Sequence, residues 1–473
     1  MQTPAPSFSR NPRMRKGAGI APLQQSRQRS LKSRFLDVIS FVIPFLFWFD
    51  ISIVGRLGGG EIVILILLIP SVIVSWKHVI WRGLNKPILT LSGAWLLSQI
   101  ISDFYNHSPF NSALKGQALI AVFALDFIVL TAVIYGNELR ILYFAVGAVI
   151  GKAIGAYNFG FANCTWKFDY APVAVPAVFL LACYFYMRKK YWVTGSLVLF
   201  MCGVNLSQNF RSQALVTLVA GAAAIPMSAY DLRKAWRSPL LRAVKENNAE
   251  SDKALRAQTF LVLSIVLMAG IGVSKAYSYF ASTGALGDEA QHKYEQQSKG
   301  NFGLLVGGRP ETLVSWRAAM DAPILGHGSW AEDPKYSEML TDLQTESGYK
   351  DDGPAGDERE SFLIPCHSHL MSAWVYAGIA GAMFWLFVYY LVLRFGLWLI
   401  THHPPLTPYY SYLVVTELWD ILFSPFGLTR RIEVSFMLVI MCTMLEKAQN
   451  AKPLPAVIAR RSLVPPRIAF GRS

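Results

Sequence analysis

The chain has 473 residues and a formal net charge of +14; 53% are hydrophobic and only 16% charged, against about 25% charged in a soluble globular domain. Its apolar residues fall in blocks of roughly 17 to 25, long enough to cross about 30 Å of hydrocarbon, which excludes a soluble fold that must bury every block. The basic excess sits in the tails and in short loops, where the positive-inside bias accounts for it without nucleic acid. Five cysteines with no CxxC pair and no Cys/His spacing give no support for structural zinc.

Residues 1–34 carry eight Arg/Lys and no acid, the composition of a disordered basic tail. An Arg- and Ser-rich start without acids also imitates a transit peptide. A cytoplasmic tail that holds the first helix in orientation is the plainer reading. No small-residue cleavage site follows the first apolar run, so a cleaved signal peptide is not expected.

Apolar runs then place spans near 35–54, 61–80, 88–105, 113–135, 139–158, 170–187, 191–208, 211–230 and 258–278, and again near 367–396, 408–426 and 430–446. Twelve spans return both termini to one side. The loops this puts inside are basic: Lys77, Arg82 and Lys86, then Arg188 to Lys190, then Arg233, Lys234, Arg237 and Arg242. The segment 447–473 is a second basic tail. The expected fold is therefore an all-α polytopic membrane protein of about 12 transmembrane helices. It divides into the tail 1–34, helices over 35–278, a large loop over 279–366, helices over 367–446 and the tail 447–473.

The large loop falls outside and carries fifteen Asp/Glu against seven Lys/Arg, the opposite sign to the inner loops. Pro310 to Met320 reads as a helix: Pro at its first turn, Glu311 near its amino end, then Leu313, Trp316 and Met320 at helical spacing. From Thr345 to Glu360 the loop is acidic and Gly-rich. Asp351-Asp352 and Asp357-Glu358 could serve as metal ligands for a sugar nucleotide, but acids in such a segment are more simply solvated.

Several residues have the chemistry for a site. Arg309 follows Gly307-Gly308 and precedes the expected helix start, so amides and a guanidinium can converge on an anion there. Arg211 opens the eighth span, where an ionisable residue at membrane depth is a functional suspect, although snorkelling to the interface would also explain it. Two arginines at one face suit a diphosphate, each fork binding phosphate oxygens. Ser212, beside Arg211, and Arg317, on the expected loop helix, are further candidate contacts to diphosphate or glycan. His367 and His369 stand where the chain re-enters the apolar region. Histidine is the side chain best suited to take a proton near neutral pH. Positions i and i+2 face different ways on a helix, so at most one of the two is the base. Metal binding by the pair is weaker, since a helix would use i and i+4.

Charges inside the spans are Asp50, Asp126, Lys152, Glu417 and Asp420. Rise per residue puts Asp50 and Lys152 at similar depth, so they are expected to pair. Arg430 and Arg431 fall on the outer side against the charge rule. Cys164 and Cys366 also fall outside and could be joined by a disulfide in an oxidising compartment.

In order and spacing these residues resemble the superfamily of O-antigen ligases and O-antigen polymerases, bacterial inner-membrane glycosyltransferases. The resemblance rests on Arg211 with Ser212 and Ala214. It continues in Gly308-Arg309, Trp316, Pro323 and Gly326-His327-Gly328, and then in His367-Ser368 followed by Gly378-Ile379-Ala380-Gly381. It covers about 205–385. Tyr376 stands where that family frequently has Glu, and Gln213 where Gly is common.

The resemblance implies a multi-pass inner-membrane enzyme with both termini cytoplasmic and the large loop in the periplasm. It implies inverting transfer of a glycan from an undecaprenyl-diphosphate carrier to a lipid A-core or other glycan acceptor, in lipopolysaccharide or surface polysaccharide biosynthesis, without metal, nucleotide or other cofactor. Spacing to Gly378 makes His367, rather than His369, the family counterpart and acceptor-activating residue. Arg309 and Arg211 would stabilise the diphosphate, with Arg430 or Arg431 as a further contact. A polymerase of O-antigen or exopolysaccharide repeats would use the same chemistry. A transporter or flippase would instead rest on the charges inside the spans, and a purely structural membrane scaffold is the remaining class.

Overall fold

The computed structural model describes residues 31–52, 55–158, 165–224, 272, 275, 278–285, 287, 291, 294, 309–346 and 362–450. The described residues are overwhelmingly helical. Helices α1 (Leu31–Phe45), α2 (Gly59–Ser75), α3 (Asn85–Tyr105), α4 (Phe110–Ile134), α5 (Glu138–Asn158), α6 (Ala171–Met187), α7 (Tyr191–Ser207) and α8 (Arg211–Ala224) make the first part. Then come α9 (Pro310–Asp321), α10 (Pro334–Glu346), α11 (His369–Ala377), α12 (Ile379–His402), α13 (Thr407–Phe423) and α14 (Leu428–Asn450). Among the described residues, five stretches are long and apolar enough to cross a membrane: Gly59–Ile80, Phe110–Ile134, Glu138–Asn158, Trp166–Met187 and Ile379–Ile400. The ninth expected span lies almost wholly outside the described residues, as do Asp351, Asp352, Asp357 and Glu358.

Two expected elements are corrected. The first apolar run does not continue to residue 54 as helix. It ends at Phe45 and gives way, through a short turn, to a hairpin of β1 (Asp50–Ser52) and β2 (Arg56–Gly58). The run expected over 367–396 is two helices, broken at Gly378, whose φ of 68° is open to glycine and strained for other residues.

Close helix approach is built on small residues, as membrane bundles require. A side chain at Gly147 or Gly151 of α5 would overlap the backbone carbonyls of Phe41 and Phe45 on α1. Helix α14 is buried along most of its length, and one contiguous core joins it to α4, α12 and α13 through Phe123, Trp385, Val414 and Met437. A second, smaller core of Val314, Ala318, Tyr336, Ile364, Met371 and Val375 fastens α9 and α10 onto α11.

Some buried charges are paired across helices, whereas Asp126 of α4 is fully buried and its carboxylate makes no hydrogen bond among the described residues. Arg431 donates through Nε and Nη2 to the two oxygens of Glu61, at 2.8 Å each. The expected Asp50–Lys152 pair does not form. Asp50 accepts from Arg56 Nε at 2.7 Å across the hairpin, and Lys152 pairs with Glu433 of α14. The expected depth assumed helical rise through residue 50, but the helix stops at Phe45 and Asp50 lies in the hairpin, and that is where the expectation fails.

Candidate functional site

One end of the helical bundle gathers most of the chemistry, and the loop that carries α9 and α10 is latched to it. The hub is Asp103, at the end of α3. Its carboxylate accepts from Ser329 N (2.7 Å), Ser329 Oγ (3.0 Å), Gln99 Nε2 (3.1 Å) and Gln117 Nε2 (3.1 Å). Around it the segment Ile324–Gly328 lies against the break between α11 and α12. His327 N donates to Val375 O at 2.7 Å, Gly328 N to Tyr376 O at 3.2 Å and Ile379 N to Ile324 O at 3.2 Å. A β-carbon at Gly326 would sit 2.7 Å from Val375 O, and one at Gly378 would overlap the Ile324 carbonyl. Gly326, Gly378 and Gly381 are thus positions of close backbone approach, and a β-carbon at Gly328 would overlap the Ser108 side chain. His327 is held by Ala318 O at 2.9 Å and by the edge of Tyr336, so it too serves this docking.

The docked loop brings Arg309 and His367 to the last turn of α13. Arg309 precedes Pro310, the first residue of α9, and its Nη1 donates to Phe423 O. That carbonyl is one of those left without a helical partner at a carboxyl terminus, where a cation is favoured. The guanidinium also lies over the rings of Trp419 and Phe423, 5.4 and 5.3 Å from their centroids. Burial lowers the Arg309 pKa and Glu311 opposes that shift; the group remains a cation. One of its five donors is spent on Phe423, and the others form no further hydrogen bond among the described residues.

Ser368 makes the second attachment. Its hydroxyl caps α11, accepting from Met371 N at 3.1 Å, and donates to Ile421 O at 2.7 Å. His367, immediately before it, is exposed. Arg309 and the His367-Ser368 pair are therefore clipped to carbonyls two residues apart. Arg430, at the start of α14, pairs with Asp420 on the same turn of α13, and Asp420 also accepts from Ser424 Oγ at 2.6 Å. Arg309 and Arg430 are thus both anchored on the last turn of α13, and exposed His367 adjoins Ser368, which is anchored there too. That arrangement can hold an anion and take up a proton beside it.

The other expected site residues stand apart from this end. His369 is fully buried between Trp385 and Phe426, with its Nδ1 3.8 Å from Glu417 Oε1. The two side chains do not hydrogen-bond each other, and the polar neighbour of the His369 ring is the Pro425 backbone. Arg431 is taken up by Glu61 and by Arg56 O at 2.9 Å, so in this arrangement it presents no surface to a ligand. Arg317 is 60% exposed and pairs with Asp321 at 3.2 Å, on the helix that begins after Arg309. Arg211 and Ser212, both half-buried, open α8. Gln213 beside them faces Tyr412, eleven residues before Phe423 and so roughly 16 Å lower along α13. Cys366 is a free thiol, which burial pushes up to about 12, and Cys164 lies outside the described residues.

Trp419, Phe423 and the two carbonyls of α13 were not singled out from sequence. The signal available was weak: two aromatic residues at i and i+4 in the last turn of an apolar span, a pattern that lipid-facing residues also produce. No protein-family model matches this chain, and no curated protein matches it.

Proposed function

We propose that the chain is an inner-membrane glycosyltransferase that moves a glycan from an undecaprenyl-diphosphate carrier to an acceptor sugar at the periplasmic face. In this reading it crosses the bilayer twelve times, with both termini in the cytoplasm and the loop carrying α9 and α10 outside. The reaction is that of an O-antigen ligase. The observation that carries the reading is that Arg309, Arg430 and Ser368, the neighbour of exposed His367, are all anchored on the last turn of α13.

The chemistry follows from those groups. Displacement at the anomeric carbon releases a lipid diphosphate, whose developing charge needs fixed cationic donors. Arg309 offers them from a half-buried position, backed by Trp419, and Arg430 adds a second fork. His367, exposed and next to a residue fixed by two hydrogen bonds, accepts the proton of the attacking hydroxyl. The acceptor oxygen forms the new bond as the bond from the anomeric carbon to the diphosphate breaks, which inverts the configuration. Arg211, at the start of α8, would contact the carrier nearer its polyprenyl chain.

The test is transfer by purified protein from an undecaprenyl-diphosphate glycan, in the presence of EDTA. Wild type is expected to release the free carrier diphosphate and to extend the acceptor. Replacing Arg309 with Ala is expected to lower the rate by about 10²-fold or more, as loss of one transition-state donor does elsewhere. One glycan per lipid A-core acceptor would mark a ligase, and a ladder of repeats on the carrier a polymerase. Wild-type rates in Arg309→Ala and His367→Ala alike would refute the assignment of the site.

A further inference from the structure

Helix α9 is apolar on two sides. One side, with Val314, Ala318 and Ala319, is buried in the small core against Tyr336 and Val375. The other carries Leu313, Trp316 and Met320, followed beyond the helix by Ile324, and these are 36%, 53%, 39% and 70% exposed. The spacing sets them in one stripe along the helix. Single exposed apolar residues are ordinary on any surface, but a contiguous stripe marks a surface with a partner.

The stripe leads directly into a spanning helix. Ile324 is tied to the first residue of α12 by the hydrogen bond from Ile379 N to Ile324 O. From there Ile379, Met383, Leu386, Tyr390, Leu393 and Leu397 are all exposed, three or four residues apart, on one face of a helix long enough to cross a bilayer. Across a bilayer that face meets hydrocarbon. The junction between the two stripes is aromatic: Trp316 meets Trp374 edge-on at 5.8 Å, and Trp374 Nε1 donates to Pro323 O at 3.1 Å. Tryptophan concentrates at the level of lipid headgroups. Of the charged side chains of α9, Glu311 lies away from the stripe, while Arg317 and Asp321 flank one edge of it and pair with each other, as charges at the border of a helix resting in the membrane surface do.

We propose that α9 lies in the headgroup–acyl boundary of the leaflet beside Gly378, with the stripe from Leu313 to Ile324 facing phospholipid as a continuation of the lipid face of α12. Arg309, the residue before α9, is thereby fixed at the depth of the phosphate layer. The inference rests on α12 spanning the bilayer and does not depend on the transferase reading.

The test uses the full chain in vesicles of phosphatidylcholine and phosphatidylglycerol. Spin-labelled residues are introduced by unnatural amino acid at Leu313, Met320 and Ile324, at Met383 and Leu386 of α12, and at exposed Lys335. Collisions with oxygen, which favours lipid, are compared with collisions with a water-soluble nickel chelate. Oxygen is expected to dominate several-fold at the three stripe positions, as at Met383 and Leu386, and nickel at Lys335. Nickel dominating at the stripe while oxygen dominates on α12 would overturn the inference alone. Shielding of the stripe from both probes would also overturn it, since protein would then be the cover. Nickel dominating at Met383 and Leu386 would remove the membrane reading beneath it. None of these outcomes touches the transfer assay, so failure of one reading is distinguishable from failure of the other.

Discussion

Two buried carboxylates stand near the same end of the bundle, and they are treated in opposite ways. Asp103 has four donors directed at it, two of them from Ser329 in the loop. Glu417 sits beside His369, and the two side chains do not hydrogen-bond each other. A buried acid with every lone pair used is a fastening, because losing it strands several donors at once. A buried polar pair not joined by a hydrogen bond costs stability where it stands. The first region spends its polarity on holding the loop, and the second keeps its polarity one turn beneath His367 and Arg430.

The largest break in that contrast comes from chemistry. His367→Ala is expected to lower transfer by about 10²- to 10⁴-fold, the range for loss of a proton acceptor, while the thermal midpoint stays within the spread of exposed surface changes, about 0.5 kcal/mol. Asp103→Ala is expected to do the reverse, with a stability loss of about 3 to 5 kcal/mol in detergent as Ser329, Gln99 and Gln117 lose their acceptor. Its transfer rate per folded molecule should change far less than that of His367→Ala. Gly378→Ala tests the same latch without touching charge. The added methyl meets Ile324 O at a positive φ, and a loss of roughly 1 to 3 kcal/mol is expected in equilibrium unfolding.

The other half of the comparison predicts the opposite sign. Replacing His369 with Phe and Glu417 with Met together removes two buried polar groups that do not hydrogen-bond each other from an aromatic surround. Stability should hold or rise by about 1 kcal/mol. A loss of several kcal/mol would show that the pair is satisfied in the protein and that the contrast is false.

The smallest effect is acid dependence. Hydrogen bonds from Lys335 and Tyr336 hold the Asp321 carboxyl below its ordinary pKa. A depressed folded-state pKa stabilises above the unfolded value, near 4, and that contribution disappears as pH falls through the folded value. The gap in unfolding midpoint between wild type and Asp321→Asn should therefore be present at neutral pH and close under acid. A gap that widens in acid would reverse the sign.

The helices were largely legible from apolar block length, because spanning length is a property of the chain alone. Where a block held a break, the pattern misled: Gly378 is too small to interrupt hydropathy, and the run 35–54 stayed apolar through a turn and into a strand. Pairing was the least legible: Asp50 lies in a hairpin that the apolar run concealed and pairs with Arg56, while Lys152 pairs with Glu433 of α14. Within the candidate site, Arg309 and His367 could be picked from their neighbours in sequence. The partners that bring them together, Phe423 O and Ile421 O, are backbone atoms that carry no signature in the sequence. His367 and His369 illustrate both sides: two positions apart they had to face differently, and one is exposed while the other is fully buried.

The most direct measurement is the single-turnover transfer rate of His367→Ala, per folded molecule, beside wild type and Asp103→Asn at the same donor concentration. His367→Ala is expected to bind the undecaprenyl-diphosphate glycan and barely transfer it, while folded Asp103→Asn transfers at close to the wild-type rate. Equal rates in His367→Ala and wild type would contradict the claim that the loop delivers a proton acceptor to the end of α13.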